Sequence, residues 1–289
     1  MLLTFINKYV MLVFAKINSV QQKLRSLKKG TTVGFVPTMG ALHKGHLSLV
    51  EQAKEENDIV VVSIFVNPTQ FDKEEDLVNY PKTIDKDLSL LKSVYCDIVL
   101  APSTQEIYQN NIKSQAFNFE GLEHQMEGKF RDGHFNGVGT IVKRLFEIVK
   151  PHKAYFGEKD FQQLQIIRSM VKSCELPIKI VGCEIYREED GLAMSSRNAR
   201  LTKKHRNAAP FIFETLKKAK VKFGINNALE VIDWVESEFK KQPVLELEYF
   251  EIADEETLNP VKNIESKQKY RAFIAVFAGE IRLIDNISL

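Results

Sequence analysis

The segment between residues 37 and 46 holds two histidines in a pattern that suits phosphate binding. It reads Pro37-Thr38-Met39-Gly40-Ala41-Leu42-His43-Lys44-Gly45-His46, between an apolar run and a helical pattern. His43 and His46 are spaced i, i+3, so both rings would share one face of the first helical turn. Amides at a helix N-terminus bind phosphate, and imidazoles beside them can donate hydrogen bonds as charge builds in a transition state. Gly40 and Gly45 would let the backbone approach the ligand closely.

Residue types alone leave two other interpretations of this pair open. The histidines could be surface residues on an exposed turn, or they could be zinc ligands. No cysteine or acidic residue lies at a useful spacing within the segment, which disfavours zinc. The position between a strand and a helix favours phosphate, because that turn is where open α/β sheets bind ligands.

Neutral amide side chains follow the second apolar run, in the segment Asn67-Pro68-Thr69-Gln70-Phe71. Asn67 and Gln70 can each donate and accept hydrogen bonds, as a substrate with hydroxyl groups and a carboxylate requires. The alternative is that both side chains only shape a loop.

A charged turn lies in the segment Phe156-Gly157-Glu158-Lys159-Asp160-Phe161-Gln162-Gln163, again between a predicted strand and a predicted helix. Lys159 is a point charge suited to phosphate. Asp160 could orient Lys159 or cap the helix, and the two roles are compatible. Gln163 would face the same way as Lys159, one helical turn along.

Two further segments could bind anions. Ser195, Ser196 and Arg197 follow one another within residues 190–198, where they could form an anion cradle or only a helix N-cap. Arg131 and His134 lie beside several glycines within residues 130–139, where either side chain could meet a carboxylate. Tight helix packing with surface polar groups is the alternative there.

Alternating strands and helices would position these segments. Strands are predicted at 32–36 (ended by Pro37), 59–66, 98–100, 153–156 and 178–182, and helices at 42–57, 81–94, 133–149 and 161–174. This order predicts an α/β fold with a parallel sheet. Helices at 203–223 and 227–240 and strands at 245–252, 270–277 and 281–286 then predict a smaller helix and antiparallel-strand module. We therefore expect an extension at 1–12 and domains at 13–186 and 187–289.

The composition excludes several classes of protein. Among 289 residues, 44% are hydrophobic and 27% charged, which is typical of a soluble globular chain. The net charge of +2 gives no excess to attract nucleic acid, so local geometry must capture any anion. Three widely spaced cysteines indicate thiols in a reducing compartment, and no apolar run is long enough for a membrane span. Residues 1–15 are apolar but make a poor signal peptide, and residues 1–10 could be an upstream extension before an alternative start at Met11.

Together these segments resemble the pantoate–β-alanine ligase (pantothenate synthetase) family. The matching text is VGFVPTMGALHKGH, VVVSIFVNPTQF, YPKTIDKDL, GHFNGV, FGEKDFQQL, DGLAMSSRNARLT and RLIDN, in the same order over residues 13–286. The resemblance implies a Rossmann-like domain of the His-x-Gly-His nucleotidyltransferase type with a smaller C-terminal α+β lid domain. It implies a cytoplasmic homodimer on the pathway to coenzyme A, which uses ATP and Mg²⁺ to join D-pantoate to β-alanine.

The resemblance also implies roles for individual residues. The ATP site would contain Met39, Gly40, Ala41, Leu42, His43, Lys44, Gly45, His46, Gly157, Glu158, Lys159, Asp160, Tyr186, Met194, Ser195, Ser196 and Arg197. His46 would be the proton donor, and Lys159, Ser195, Ser196 and Arg197 would contact the phosphates. Gln70 would contact both pantoate and β-alanine, and Gln163 would hold pantoate, with Asn67, Arg131 and His134 as further candidates. Mg²⁺ would bind to the ATP phosphates, with no protein side chain assigned as its ligand.

The chain departs from the family pattern at three places. Asp132 replaces a proline beside Arg131, Cys183-Glu184 replaces Val-Pro, and Tyr186 replaces a small aliphatic residue that meets the nucleotide. The implied reaction is attack of a pantoate carboxylate oxygen on the α-phosphorus of ATP, then attack of β-alanine on the resulting pantoyl adenylate. Another adenylyl- or cytidylyltransferase and a non-catalytic nucleotide sensor are the alternatives. The Asn67 and Gln70 pair argues against the first, and the presence of His43, His46 and Lys159 against the second.

Overall fold

A computed structural model describes residues 9–71, 74–78, 80–109, 111–225, 227–261, 264–265 and 267–289. The strands are β1 Leu12–Phe14, β2 Val33–Thr38, β3 Ile59–Ile64, β4 Ile98–Leu100, β5 Lys153–Gly157, β6 Lys179–Cys183, β7 Glu246–Asp254, β8 Tyr270–Ala278 and β9 Ile281–Ser288. The helices are α1 Ile17–Arg25, α2 Lys44–Glu56, α3 Glu74–Val78, α4 Ile84–Ser93, α5 Thr104–Tyr108, α6 His134–Val149, α7 Phe161–Ser173, α8 Lys203–Ala208, α9 Phe211–Phe223 and α10 Ala228–Lys240. Residues 1–8 of the predicted extension lie outside the described residues.

The first six strands form one parallel sheet in the order β1-β4-β3-β2-β5-β6. β2 lies between β3 and β5, so the direction in which the chain crosses the sheet reverses there. Ligands of open α/β sheets bind beyond the carboxyl ends of the strands at such a switch point. The turns after β2 and β5 are therefore neighbours, and the predicted α/β fold is confirmed.

The sheet is covered on both faces, which explains its apolar strands. Val60, Val61 and Val62 of β3 are fully buried, as the continuous β-branched run predicts. One face packs on α2 and α4, and the other packs on α1, α6 and α7. Leu47 on α2 and Leu145 on α6 represent the two sides of this core. The site-bearing turns thus extend from a rigid layer.

A smaller antiparallel sheet, in the order β7-β8-β9, forms the C-terminal part as predicted. α9 and α10 pack on it through Leu216 and Val231, in one cluster with Val276 of β8. Phe273 of β8 belongs to the core of the larger sheet instead, with its ring centroid 5.9 Å from that of Phe161. The two sheets are therefore in apolar contact. The domain limits 13–186 and 187–289 stay a prediction.

The strand predicted to end at Pro37 continues to Thr38, so that boundary was wrong. The amide of His152 donates to the carbonyl of Val33 (2.9 Å) on the side of β2 that faces β5. Pro37 has the same parity as Val33, so its missing N–H also faces β5. Pairing between β2 and β5 ends at Phe35, and no ladder hydrogen bond is lost at the proline.

Two other element predictions differ from the structure. The helix predicted over 203–223 is two helices, α8 and α9, with Pro210 at the N-cap of the second. Proline has no N–H with which to continue a helix. β1 and α1 were not predicted. No helix in the described part of the chain has both the length and the apolar character of a bilayer crossing.

Candidate active site

A buried carboxylate organises the turn that follows β2. Asp87 on α4 is 1% exposed, and its two oxygens accept hydrogen bonds from the amides of Ala41 (3.0 Å) and Leu42 (2.8 Å). Gly40 has φ of 83° and Ala41 φ of 50°, so the chain passes through the left-handed region here. The role of Asp87 was not predicted. The available signal was an acidic residue on the apolar face of α4, four positions before the buried Leu91.

This arrangement changes where the turn can bind an anion. The amides of Ala41 and Leu42, two residues of the predicted ATP site, both donate to Asp87 and so are not available to phosphate. Lys44 and Gly45 begin α2, and their amides make no hydrogen bond to another described residue. The amides of Lys44 and Gly45 at the start of α2 are therefore available to an anion.

The two histidines stack at the start of α2. Their ring centroids are 4.0 Å apart with an interplanar angle of 35°. The amide of His43 donates to Nδ1 of His46 (3.3 Å), so a neutral His46 ring has its proton on Nε2. His46 is partly buried, so the expectation of an exposed turn was wrong for this residue.

Both imidazoles are neutral at pH 7. Burial lowers the pKa of His43 to about 4, and the nearby charge of Lys159 adds to this effect. Burial likewise lowers the pKa of His46 to about 3, with further contributions from His43 and Lys159. A neutral His46 offers a hydrogen bond from Nε2–H to a phosphate oxygen and brings no fixed positive charge.

The turn after β5 places Lys159 beside the histidines. Its side chain is 17% exposed, and its ammonium lies 3.9 Å from the carboxylate of Asp160. The charge of Lys159 contributes to the lowered pKa of both imidazoles, which agrees with the two turns being neighbours. This is the neighbourhood that the pairing of β2 with β5 requires.

The segment with two serines and an arginine closes the same region from the C-terminal side. Lys159, Ser195 and Arg197 line one narrow cavity together with Asp285 of β9. Ser195 accepts a hydrogen bond from the amide of Arg197 (3.2 Å), so it caps a short 3-10 turn, as one interpretation expected. Capping leaves the Ser195 hydroxyl hydrogen available to a ligand.

The charge of Arg197 affects Tyr80, which follows the segment that carries Gln70. Burial raises the pKa of the Tyr80 hydroxyl; the charge of Arg197 opposes this effect, and the charges of Asp87 and Asp160 reinforce it. Arg197 is exposed, and its charge acts on Tyr80 together with those of Asp87 and Asp160. Three of the five candidate segments converge on one cleft.

Tyr186 and Met194 lie at the edge of this cleft. The amide of Met194 donates to the carbonyl of Tyr186 (3.0 Å). A Cβ built on Gly45 would be 3.6 Å from the Cβ of Tyr186, so this residue adjoins the start of α2. The aromatic side chain, which departs from the family pattern, is 38% exposed.

Asn67 and Gln70 differ in what they face. Asn67 is fully buried; it donates to the side chain of Gln70 (3.2 Å) and the carbonyl of Gly137 (3.1 Å), and accepts from Tyr108 (2.6 Å). Asn67 thus holds Gln70 in place, with its polar atoms on protein partners. Gln70 reaches toward the turn after β2, where its Nε2 contacts the sulfur of Met39 (3.0 Å).

Arg131 and His134 also serve Gln70 in the structure. Nδ1 of His134 lies 2.8 Å from the Gln70 carbonyl, which makes Nδ1 the donor in that pair. Nε2 of His134 then accepts from Arg131 (3.1 Å). Asp132 is exposed in the place of the family proline, and Arg131 still reaches His134.

The paired glutamines of α7 differ in burial and in hydrogen bonding. Gln162 is 4% exposed and donates to the carbonyls of Leu122 and Gln125, each at 2.8 Å. Gln163 is partly buried and makes no hydrogen bond to another described residue. Its amide is therefore available to a ligand, one turn beyond Lys159.

No group of three His, Cys, Asp or Glu side chains among the described residues is arranged to hold a metal ion. Cationic and neutral donors dominate the cleft. This donor set suits phosphate oxygens and carboxylates.

The chain matches the family model described as pantoate-beta-alanine ligase over residues 12–288. It is 55% identical to a pantothenate synthetase of Christiangramia forsetii, covering 96% of this chain and 99% of the relative, and 54% identical to one of Flavobacterium psychrophilum, covering 96% and 100%. The crystal structure of pantothenate synthetase from Thermus thermophilus matches with a TM-score of 0.87 and 39% identity, over 96% of this chain and 99% of that one. A pantoate-beta-alanine ligase from Francisella tularensis, complexed with beta-gamma ATP and β-alanine, matches with a TM-score of 0.79 and 36% identity, over 96% and 98%.

Proposed function

The chain belongs to the pantoate–β-alanine ligase family, and we propose that the cleft between the turns after β2 and β5 is where it performs the ATP-dependent condensation of pantoate with β-alanine. One observation supports this location above all others. Donors suited to phosphate and amides suited to a hydroxy acid meet at the switch point of the sheet, where α/β folds bind ligands.

The proposed route passes through pantoyl adenylate. An oxygen of the pantoate carboxylate attacks the α-phosphorus of ATP, and the bond to pyrophosphate breaks. The amine of β-alanine then attacks the acyl carbon, loses a proton, and AMP leaves with the former carboxylate oxygen. Neither step needs a covalent bond to the protein, so positioning and charge are what the chain supplies.

The phosphate-binding roles follow from charge and hydrogen-bond direction. His46 donates from Nε2–H as a neutral ring, and His43 lies against it at the helix start. Lys159 and Arg197 supply positive charge to the cavity that they line together, and Ser195 adds a hydroxyl to the same lining. These groups would offset the charge that develops on the α-phosphate and on the leaving pyrophosphate.

Pantoate and β-alanine are assigned to the amide side chains. We assign Gln163 to pantoate because its amide has no protein partner among the described residues, and Gln70 to both substrates. Asn67, Arg131 and His134 are assigned as supports of Gln70 because each makes a polar contact to that residue. The proposal includes the D configuration of pantoate.

Mg²⁺ is proposed to arrive with the nucleotide. Carboxylates and waters are its usual ligands, whereas the cleft presents mainly cationic and amide groups. Bound to the phosphates, the ion would neutralise part of their charge. Lys159, Ser195 and Arg197 would hold the remaining phosphate oxygens.

Residues 187–289 are proposed as the unit that covers the site, and a cytoplasmic homodimer as the working form. Pantoyl adenylate is a mixed anhydride that water would destroy, so the cleft must be closed while it exists. Light scattering coupled to gel filtration tests the dimer.

Product analysis tests the reaction. The purified protein is incubated with ATP, Mg²⁺, D-pantoate and β-alanine, and products are separated by ion-exchange chromatography. Pantothenate, AMP and pyrophosphate in equal amounts are expected. Transfer of the nucleotide to a stable product would identify a nucleotidyltransferase, and ATP binding without turnover would identify a nucleotide sensor.

A further inference from the structure

The last strand of the chain reaches the turn that holds Lys159. Asn286 of β9 is 2% exposed, and its Nδ2 donates to the carbonyls of Glu158 and Lys159, each at 2.9 Å. These carbonyls lie in the short turn between β5 and α7. A side chain more than a hundred residues along the chain therefore fixes the backbone on both sides of the Lys159 side chain.

The orientation of the Asn286 amide is itself fixed. Its Oδ1 accepts from Nη1 of Arg271 (2.6 Å), and a guanidinium can only donate. Backbone carbonyls can only accept, so the oxygen and nitrogen of the Asn286 amide cannot be exchanged. Arg271 is 6% exposed, held by Glu255 (2.9 Å) and stacked 3.9 Å from the ring centre of Phe161.

The neighbouring Asp285 makes a parallel connection. Its carboxylate receives two hydrogen bonds from Arg187, at 2.6 and 2.9 Å, and it lines the narrow cavity with Lys159 and Arg197. Arg187 begins the segment that continues to Arg197. Two adjacent residues of β9 thus join the turn after β5 to the anion-binding segment of the C-terminal part.

Lys159 depends on this backbone support. Its ammonium forms one ion pair among the described residues, to Asp160 at 3.9 Å, which is too long for a strong hydrogen bond. Side-chain partners therefore do little to aim the ammonium. Its direction follows from the backbone of the turn, which Asn286 holds.

We propose that Asn286 is a positioning residue that places the Lys159 ammonium for the phosphates of ATP. This inference rests on the proposed function, in which Lys159 binds phosphate. Asn286 itself touches no reacting atom, and it acts through two carbonyl hydrogen bonds. Loss of those bonds should weaken the use of ATP and leave the use of pantoate intact.

The first experiment compares Asn286→Asp and Asn286→Ala with the wild type. Aspartate keeps an oxygen for Arg271 but cannot donate to the two carbonyls, and alanine removes both functions without adding charge. We expect kcat/KM for ATP to fall about tenfold or more in both variants, with KM for pantoate within about twofold. Asn227→Asp is the control. Asn227 is the exposed N-cap of α10, and the hydrogen bonds of its side chain go to Glu230 and not to the Lys159 turn. Wild-type kinetics with only a lowered melting temperature in the Asn286 variants would overturn the proposal.

A double-mutant cycle with Lys159→Ala separates positioning from a general structural effect. If Asn286 acts through Lys159, Asn286→Ala should change kcat/KM for ATP less than about twofold in the Lys159→Ala background. An undiminished loss in that background would overturn the proposal. If Lys159→Ala has no measurable turnover, calorimetric binding of a non-hydrolysable ATP analogue provides the same cycle. A Lys159→Ala enzyme with unchanged ATP kinetics would contradict the phosphate role of Lys159, which is a failure of the proposed function and a different result.

Discussion

Gly137 of α6 and Gln70 are in backbone contact. A Cβ added to Gly137 would overlap the carbonyl oxygen of Thr69 and lie 2.9 Å from the Cα of Gln70. Asn67 adds a hydrogen bond from its Nδ2 to the carbonyl of Gly137 (3.1 Å). Gly137, the second glycine of the GHFNGV motif, is therefore needed so that α6 can support the turn that carries Gln70.

Gly137→Ala should displace Gln70 and reduce activity. The added methyl group would overlap backbone atoms of Thr69 and Gln70. Backbone cannot rotate away as a side chain can, so the turn at residues 68–70 must move. We expect kcat/KM for pantoate to fall by about tenfold or more, with a stability loss of about 1–3 kcal/mol. Steady-state kinetics and urea unfolding measure the two effects. Gly224→Ala is the control, because among the described residues its Cβ would meet only the carbonyl oxygen of Val221, at 3.6 Å. Equal losses in both variants would contradict the account.

The two glutamines of α7 give a matched pair. Gln163→Ala should raise KM for pantoate by about tenfold, because a lost hydrogen bond in a desolvated site costs about 1–3 kcal/mol, and leave KM for ATP nearly unchanged. Gln162→Ala should instead lower stability, because the carbonyls of Leu122 and Gln125 lose their donor. Kinetics with each substrate varied and thermal unfolding distinguish the two. A rise in KM for ATP in Gln163→Ala would contradict its assignment to pantoate.

The partly buried histidines should make stability fall in acid. Their folded pKa values of about 4 for His43 and about 3 for His46 lie below the unfolded value of 6.5. Between those values the unfolded chain binds protons that the folded protein does not, so the free energy of unfolding decreases as pH falls below about 6.5.

His46→Gln should flatten this dependence. Glutamine can accept the hydrogen bond from the His43 amide but does not titrate, so the slope between about pH 6.5 and about pH 4.5 should drop by about 1 kcal/mol per pH unit. Urea unfolding at a series of pH values measures it, with about pH 8 as the reference at which neither ring is charged in either state. If the free energy of unfolding depends on pH equally in the variant and the wild type, the pKa of His46 is not lowered in the folded protein.

His46→Ala should also lower kcat by about a hundredfold or more, because it removes a donor aimed at developing charge. Unlike a residue on an exposed turn, His46 accepts a hydrogen bond from His43, so a small loss of stability accompanies the change. Activity is expressed per folded molecule, with the folded fraction taken from circular dichroism. Activity retained per folded molecule would make the histidine structural.

The sequence predicted those elements whose apolar pattern is strong and local. β3 was predicted because a β-branched run fits a strand covered on both faces, and α2 because Leu47, Val50 and Ala53 repeat at helical spacing. β1 was missed because its three residues are defined by pairing with β4, far along the chain. Pro37 was placed outside β2 because the sequence does not show which neighbouring strand the backbone of Pro37 faces, or where pairing with that strand ends.

The sequence suggests candidate site residues where the residue type alone indicates a role. Lys159 and the histidine pair are of this kind. The different roles of Gln162 and Gln163, the contact of Asp87 with the Ala41 amide, and that of Asn286 with the Lys159 carbonyl depend on long-range partners. Such roles become visible only once the chain is folded.

In the proposed mechanism, pantoate is activated as an adenylate before β-alanine takes part. His46, Lys159 and Arg197 would together present the α-phosphorus to the pantoate carboxylate without help from the amine. No residue in the cleft is assigned as a covalent nucleophile, so the activated species must stay bound and shielded from water.

Quenched-flow measurement of pyrophosphate tests this order of steps most directly. The enzyme is mixed with ATP, Mg²⁺ and D-pantoate, with and without β-alanine. Without β-alanine, a burst of about one equivalent of pyrophosphate per active site should appear and then slow sharply, because the closed site retains the adenylate. Release of ADP and orthophosphate, or no pyrophosphate at all until β-alanine is added, would contradict the account.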